Sequence, residues 1–162
     1  MPSTIPLETA WIGLGANLGE ALHTLRQACH ELATDPRIVH CEVSGFYRTV
    51  PLDADGPLYI NAVARVVTRL PPLALLDLLQ SLENRHGRER PYRNAPRTLD
   101  LDLLLHGNSV LDTPRLTLPH PRMHERAFVL QPLLDLAPDM QLVQGSVREL
   151  LARCGDQGIT PL

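Results

Sequence analysis

Lysine is absent from this chain of 162 residues, and all 15 of its basic residues are arginine. The absence excludes a Walker A phosphate loop, a pyridoxal Schiff base and a lysine general base, because each needs the lysine amine. It also excludes a kinase built around a strand lysine. A phosphate ligand would therefore be bound by arginine, by backbone N–H groups or through a metal ion. Codon usage explains the missing lysines most simply, but it does not explain where the arginines lie.

Cysteine and long apolar runs are also scarce. Three cysteines without C-x-x-C spacing are typical of reduced thiols in a cytoplasmic protein. No apolar run approaches the ~20 residues of a membrane span, and no basic residue precedes the N-terminal apolar stretch as in a signal peptide. The net charge of −3 does not favour nucleic acid as a partner. We expect one cytoplasmic domain over residues 1–162, with no membrane or nucleic-acid partner.

The arginines are concentrated in one segment. Residues 85–97 hold five arginines and one acid, Glu89, so this segment has a net charge of +4 and the rest of the chain −7. Such a run is typical of a solvated basic loop. A clamp for a small polyanion is the other interpretation, and it requires an anion-handling motif nearby.

The apolar periodicity predicts the order β-α-β-β-α-β, followed by further helices. The predicted strands cover residues 9–14, 38–48, 59–69 and 98–105, and the predicted helices follow Asn17, cover 71–86 and 123–131, and follow Ser146. Asn17 with Glu20, and Ser146 with Glu149, have the spacing of capping boxes. This order predicts an α+β fold with a ferredoxin-like core, an antiparallel sheet and additional C-terminal helices.

The triplet Asp100-Leu101-Asp102 is the most informative local pattern. The two aspartates are two residues apart on a predicted strand, and such residues point to the same face. Both carboxylates therefore emerge from one face, with Cα atoms about 6.6 Å apart. Neighbouring carboxylates repel each other unless a cation lies between them, and Mg²⁺ commonly takes one or two carboxylates together with substrate phosphates. Two incidental acids on an exposed strand are the alternative. The arginine-rich segment runs directly into this strand, which favours a metal and guanidinium site for a polyphosphate.

The stretch at residues 97–104, R-T-L-D-L-D-L-L, closely resembles the signature of the 6-hydroxymethyl-7,8-dihydropterin pyrophosphokinase family of folate biosynthesis. The resemblance covers nearly the whole chain. It includes the stretches at residues 13–19, 46–49, 59–62, 80–87, 119–123 and 126–130. Several ordered motifs in one small protein make a coincidental match improbable.

The resemblance implies transfer of the β,γ-pyrophosphoryl group of ATP to the hydroxymethyl oxygen of the pterin, with release of AMP. It also implies that Asp100 and Asp102 hold two Mg²⁺ ions along the triphosphate and that Arg97 clamps the phosphates, so these three residues are the predicted catalytic set. The further residues implied for ATP binding are Gln80, Glu83, Arg88, Arg90, Leu103, Arg115, Thr117, His120 and Arg126.

The pterin side of the site follows from the same resemblance. A flat bicyclic ring needs an aromatic face and a polar edge. Phe128 matches the stacking residue of the family, Tyr59 would wall the pocket, and Asn61 offers both a carbonyl acceptor and an NH₂ donor. The remaining residues implied for pterin binding are Thr49, Val50 and Leu52.

Two positions depart from the family. Some members have a tryptophan in the arginine loop, whereas the single tryptophan here is Trp11 and the matching stretch contains Tyr92. Pro121 stands where some members have an aromatic residue.

Other functions compete with this interpretation. The stretch at residues 13–18 begins like a dinucleotide-binding fingerprint, but its sixth position is Leu18 instead of glycine or alanine. Another Mg²⁺-dependent phosphotransferase would use the same two aspartates, and a ferredoxin-like regulatory module would need neither. ATP, Mg²⁺ and the pterin are thus the expected ligands of a protein that we expect to be monomeric.

Overall fold

An antiparallel sheet of six strands separates two layers of helices. The structure, a computed structural model, describes residues 5–17, 20–50, 58–87 and 99–162. Its strands are β1 (Glu8–Asn17), β2 (Ile38–Val43), β3 (Tyr47–Thr49), β4 (Tyr59–Thr68), β5 (Asp100–His106), β6 (Leu111–Asp112), β7 (Thr117–Leu118), β8 (Gln141–Leu142), β9 (Gly145–Ser146) and β10 (Ile159–Pro161). Its helices are α1 (Ala21–Thr34), α2 (Pro72–Gly87), α3 (Ala127–Leu136) and α4 (Val147–Cys154), with a 3₁₀ turn at Met123–Glu125.

The strand order of the main sheet is β10-β3-β4-β1-β5, and β2 pairs with β4 beside β3. All of these pairings are antiparallel. Helix α1 connects β1 to β2, and α2 connects β4 to β5, so the first part of the chain has the predicted ferredoxin-like order. Helices α3 and α4 and two short hairpins, β6–β7 and β8–β9, are added after this core.

One face of the sheet packs against α1 and α2. Helix α1 buries Leu25, Ala28 and Leu32, which are three or four residues apart and therefore lie on one side of the helix. Alternate residues of the strands meet these helices, because successive side chains of a strand point to opposite faces. Leu101 and Leu103 of β5 are buried in this cluster, as the alternation in the sequence predicts.

The other face packs against α3, α4 and the 3₁₀ turn. Its buried residues include Trp11, Val63 and Leu104 from the sheet, and Leu130 and Leu133 from α3. Helix α3 is also attached to the sheet by a polar contact, since the Tyr47 hydroxyl donates a hydrogen bond of 2.6 Å to the Asp135 carboxylate. Burial, together with this carboxylate, raises the pKa of Tyr47 to about 12, so the hydroxyl keeps its proton at neutral pH.

Several local predictions are confirmed. Helix α2 begins at Pro72, where proline is favoured at the first position of a helix. The predicted capping box at Ser146 is formed, because the backbone N–H of Glu149 donates to the Ser146 hydroxyl at 3.1 Å. Strand β5 ends at a turn, where Gly107 has φ +51°. In the described part of the chain, every helix is too short or too polar to cross a membrane.

The predicted helix cap at Asn17 is wrong. Strand β1 is longer than predicted and continues through Asn17, which pairs with Tyr59 of β4. Helix α1 begins at Ala21 after Glu20, and the Glu20 side chain makes no capping hydrogen bond. Asn17 is buried instead, with no hydrogen-bond partner for its Oδ1 among the described residues.

The predicted single strand over 38–48 is also wrong, because it is divided into β2 and β3. At the break, the N–H of Val63 donates to the Ser44 hydroxyl at 3.0 Å, so a side chain satisfies a donor of β4 that a continuous strand would bond through its backbone. The predicted helix over 123–131 starts as the 3₁₀ turn, and the α-helix itself covers Ala127–Leu136.

The attachment of α3 to the sheet generates a stability prediction. We expect Tyr47→Phe to lower the free energy of unfolding by about 0.5–1.5 kcal/mol, because the hydrogen bond from buried Tyr47 to the exposed Asp135 carboxylate is lost. Urea denaturation followed by circular dichroism measures the change. Tyr59→Phe, the same substitution on neighbouring β4, is the matched control and should change stability by less than about 0.5 kcal/mol. Equal stability of wild type and Tyr47→Phe would contradict the prediction.

Candidate active site

A cleft opens on the α3 side of the sheet, where the first turn of α3 meets β1, β4 and β5. Its volume is about 330 Å³, within the range of small-molecule sites. We call it the sheet-face cleft. Its lining residues are Gly13, Leu14, Gly15, Thr49, Tyr59, Asn61, Ala62, Asp100, Asp102, Arg126, Phe128 and Val129.

Two glycines of β1 form the floor of this cleft. Gly15 pairs with Asn61 on one side and with Asp100 on the other, and Gly13 pairs with Asp102. Paired residues of neighbouring strands point to the same face, so the carboxylates and the amide stand around positions without side chains. A Cβ at Gly15 would lie 3.1 Å from Asn61 Nδ2, which is closer than such contacts normally are. The glycines therefore keep the space above the sheet open.

The orientation of the Asn61 amide is fixed by Thr49. The Thr49 hydroxyl donates to Asn61 Oδ1 at 2.8 Å, and Asn61 is only 6 % exposed. This contact assigns Oδ1 to the β3 side, so that the NH₂ group is on the side of Gly15. The cleft accordingly presents a fixed hydrogen-bond donor at its polar edge.

Phe128 and Arg126 come from the start of α3 and face Asn61 across the cleft. The guanidinium carbon of Arg126 lies 5.5 Å from the centroid of the Phe128 ring, a cation–π distance. Phe128 and Tyr59 are both half-buried, so their rings are accessible from the cleft. Arg126, predicted as an ATP residue, lies here together with the residues predicted for the pterin.

Asp100 and Asp102 lie on β5, which is an edge strand of the main sheet. Both point to the cleft side, as the alternation predicts, while Leu101 points into the opposite core. On the outer edge of β5, the N–H of Leu101 donates to Glu83 Oε2 of α2 at 2.9 Å. Glu83 therefore holds the segment of β5 between the two aspartates.

A second depression adjoins the first at Asp102, and we call it the edge cleft. It has a volume of about 280 Å³. Its lining residues are Leu76, Leu101, Asp102, Leu103, Thr113, Pro114, Arg115, Leu116, Thr117, His120 and Pro121. Four of the residues predicted for ATP (Leu103, Arg115, Thr117 and His120) are thus brought together, and Asp102 is shared by both clefts.

His120 is held in its neutral form at the boundary of the edge cleft. Its Nδ1 accepts a hydrogen bond of 3.1 Å from the backbone N–H of Arg122, which leaves the proton on Nε2. Burial lowers the pKa of His120 below its usual value, Asp102 opposes this effect, and Arg126 and Arg122 reinforce it. At neutral pH the ring therefore acts as a neutral hydrogen-bond donor.

Gln80 and Glu83, the other predicted ATP residues on α2, each form a hydrogen bond to a residue that lines the edge cleft. Gln80 Oε1 accepts from Arg115 at 3.1 Å, and Asp77 forms an ion pair with the same guanidinium at 2.7 Å. Arg115 is half-exposed, so this contact orients the guanidinium at the surface. Glu83 acts through Leu101, as described above.

Some predicted site residues lie outside the described part of the chain or differ in role. Leu52, Arg88, Arg90 and Arg97 lie outside the described residues, as do most of the arginine-rich segment and Tyr92. Val50 is described, and its N–H donates to the Gly158 carbonyl at 2.9 Å. The Val50 N–H is therefore already used in a hydrogen bond within the protein.

Sequence reasoning missed Gly13 and Gly15 as the floor of the cleft, because the predicted strand ended at residue 14 and the glycines were compared with a dinucleotide-binding fingerprint. Their signal was available, because glycines at alternate positions followed by Asn17 fit a strand whose one face must stay open. It also missed Leu76 and Leu116, whose apolar surfaces line the edge cleft.

The aspartate pair fits a magnesium ion. Within the described residues, histidine, cysteine, aspartate and glutamate form no cluster of three or more that would hold a metal by themselves. Two carboxylates beside an open floor suit Mg²⁺, which keeps several water ligands and takes others from substrate phosphates. Asp100 and Asp102 are the residues that would hold it.

Comparison with known proteins identifies the family of this chain. The sequence model of the family 7,8-dihydro-6-hydroxymethylpterin-pyrophosphokinase (HPPK) matches residues 11–138. The 2-amino-4-hydroxy-6-hydroxymethyldihydropteridine pyrophosphokinase of Pseudomonas aeruginosa is 46% identical over 158 residues, which cover 96% of this chain and 98% of that protein. The protein of the same name from Haemophilus influenzae is 43% identical and covers 95% of this chain and 98% of its own.

Solved structures support the fold. The Plasmodium falciparum HPPK-DHPS wild type with pteroate superposes with a TM-score of 0.70 over 94% of this chain and 43% of the Plasmodium chain, at 13% sequence identity. A likeness at this identity concerns architecture alone, whereas the family model matches residues 11–138 and the two bacterial relatives extend along almost the whole sequence. On that ground, this chain belongs to the 7,8-dihydro-6-hydroxymethylpterin-pyrophosphokinase family.

Proposed function

We propose that this protein transfers the β,γ-pyrophosphoryl group of ATP to 6-hydroxymethyl-7,8-dihydropterin in folate biosynthesis, releasing AMP. Family membership supplies the reaction. The observation that connects this reaction to particular residues is the position of Asp102, which lines both the sheet-face cleft and the edge cleft, with Asp100 beside it in the sheet-face cleft. Two substrates in two adjoining clefts would meet at this carboxylate pair.

In this proposal the pterin ring occupies the sheet-face cleft. Phe128 offers a ring face for stacking, and Asn61 offers NH₂ protons to the acceptor atoms of the pyrimidinone edge. Both groups are held in place before the ligand arrives, Asn61 by Thr49 and Phe128 by the first turn of α3. A pre-formed cleft lowers the entropy that is lost when the ring binds.

The nucleotide would occupy the edge cleft. Leu76, Leu103 and Leu116 give it apolar surface for the flat base, while Thr117 and the neutral His120 offer hydrogen bonds. From there the triphosphate would extend past Asp102 toward Asp100. Arg126 lines the neighbouring sheet-face cleft, with its guanidinium over the Phe128 ring, and would bind phosphate oxygens there.

In the reaction, the pterin hydroxymethyl oxygen forms a bond to the β-phosphorus. The bond between this phosphorus and the oxygen that bridges it to the α-phosphate breaks, so AMP leaves with that oxygen, and the hydroxyl proton is released. When bound at the aspartates, Mg²⁺ supplies charge neutralisation of phosphate oxygens and lowers the pKa of a coordinated hydroxyl. We propose two such ions, and Arg97 as a further phosphate ligand.

Other predictions belong to the same proposal. We propose a cytoplasmic location, since a step of folate biosynthesis uses small water-soluble substrates. We also propose that residues 1–162 act as one domain and as a monomer, because both clefts are built from a single chain.

The aspartate pair generates the first test. We expect Asp100→Asn and Asp102→Asn each to lower AMP formation about a hundredfold or more, because a neutral amide loses the charge that holds the metal against the triphosphate. The assay contains Mg²⁺, ATP and 6-hydroxymethyl-7,8-dihydropterin, and separates AMP from ADP. Asp112→Asn, an exposed acid of β6, is the matched control and should keep wild-type activity. Formation of ADP, or of AMP without the pterin, would disprove the proposed reaction.

The contact between Thr49 and Asn61 generates the second test. We expect Thr49→Val to raise the dissociation constant of the pterin about three- to tenfold, because the Asn61 amide loses the hydrogen bond that fixes its orientation. The dissociation constant of ATP should stay within twofold, and calorimetry measures both. Thr160→Val, on exposed β10 beside β3, is the matched control. Equal weakening of both ligands would show that Thr49 acts on general stability and not on the amide.

A further inference from the structure

The C-terminal segment at residues 157–161 connects the two walls of the sheet-face cleft. Its first residue, Gln157, makes two hydrogen bonds to the start of α3 through its side chain. Gln157 Oε1 accepts from the backbone N–H of Ala127 at 2.9 Å, and Gln157 Nε2 donates to the Glu125 carbonyl at 3.1 Å. The amide therefore bridges the residue pair that encloses Arg126.

Helix α3 depends on this outside contact because it does not cap itself. Its N-cap residue is Arg126, whose side chain makes no capping hydrogen bond. The first N–H groups of a helix lack partners within the helix and need acceptors from elsewhere. Gln157 supplies one at Ala127, and the residues before and after Ala127 are Arg126 and Phe128, the two that face Asn61 across the cleft.

The next residues of the segment hold the opposite wall. The Gly158 carbonyl accepts from the Val50 N–H at 2.9 Å, and β10 then pairs with β3, with Ile159 opposite Thr49. Gly158 has φ +74°, and a Cβ there would lie 2.6 Å from the Val50 carbonyl oxygen, so only glycine permits this approach. Thr49 in turn orients Asn61. Two successive residues, Gln157 and Gly158, thus connect the start of α3, which bears Phe128, to the end of β3, which bears Thr49.

We infer that Gln157 is a positioning residue for the pterin: it sets the place of Phe128 and Arg126 relative to Thr49 and Asn61 without touching the substrate. This inference rests on the proposed function. A pterin ring that stacks on Phe128 and also accepts hydrogen bonds from the Asn61 amide binds well only when these two side chains keep their relative positions. The edge cleft proposed for the base of ATP is lined by α2, β5, the β6–β7 region, His120 and Pro121, whereas both side-chain hydrogen bonds of Gln157 go to Glu125 and Ala127. Of the proposed ATP ligands, Arg126 alone lies between those two contacts. Loss of the Gln157 contacts therefore affects the pterin more than ATP.

The experiment is a steady-state comparison of Gln157→Ala with wild type. We expect KM for the pterin to rise about three- to tenfold, the effect of one or two lost neutral hydrogen bonds. KM for ATP should rise by less than KM for the pterin, because Arg126 is the one proposed ATP ligand between the lost contacts. The value of kcat should stay within twofold, because the reacting groups are unchanged. Gln27→Ala, an exposed glutamine of α1 on the other face of the sheet, is the matched control and should change no parameter.

A second variant, Gln157→Glu, keeps the oxygen acceptor for Ala127 and places a negative charge at a helix N-terminus, which is favourable. We expect its KM for the pterin to lie closer to wild type than that of Gln157→Ala. A lower melting temperature with both KM values unchanged would reduce Gln157 to a stabilising cap, and a parallel rise in both KM values would indicate general loss of structure. Either result overturns the inference. If wild type itself forms no pterin-dependent AMP, the proposed function fails first.

Discussion

The pairing of β1 with its two neighbours is the constraint on which the site depends. Strand β1 lies between β4 and β5, and its register brings Gly15 between Asn61 and Asp100. Side chains alternate between the faces of a strand, so a slip of one residue would turn the aspartates into the leucine core and Leu101 into the cleft. The energy of burying the leucines therefore fixes the position of the carboxylates. A polar site is held in register by the apolar core behind it.

The sheet-face cleft follows from how far the second helical layer, α3 and α4, extends over the sheet. Helices α3 and α4 cover the part of the face that bears Trp11, Val63 and Leu104. Beyond the start of α3, the same face bears glycines, an amide and two carboxylates instead of apolar side chains. The composition of this face thus changes along the strands, from residues that must be covered to residues that can remain in contact with water and ligand.

The sequence predicts those features of the fold that depend only on residues close together in the chain. The alternation of leucine and aspartate in β5 predicted both faces of the strand, and the spacing of Ser146 and Glu149 predicted the cap of α4, because both depend on neighbours in sequence. Contacts between residues far apart in the sequence could not be predicted in this way.

Asn17 shows why, because it has the side chain of a helix cap but pairing with Tyr59 extends the strand through it. The Ser44 hydroxyl divides a β-prone segment through a bond to distant Val63. Gln157 has no local pattern that would connect it to Ala127.

The pairing of β10 with β3 has a consequence for the order in which the protein is made. Thr49 is synthesised well before its partner Ile159, which follows all the other strands of the main sheet in the sequence. Until then, the outer edge of β3 has unpaired backbone groups, which are prone to pair with strands of other molecules. Contacts between residues so distant in sequence also form slowly, since a long loop must close first. The wall that carries Thr49 is therefore the last part of the sheet to be completed, and the newly made chain has the leucine core before it has a finished binding cleft.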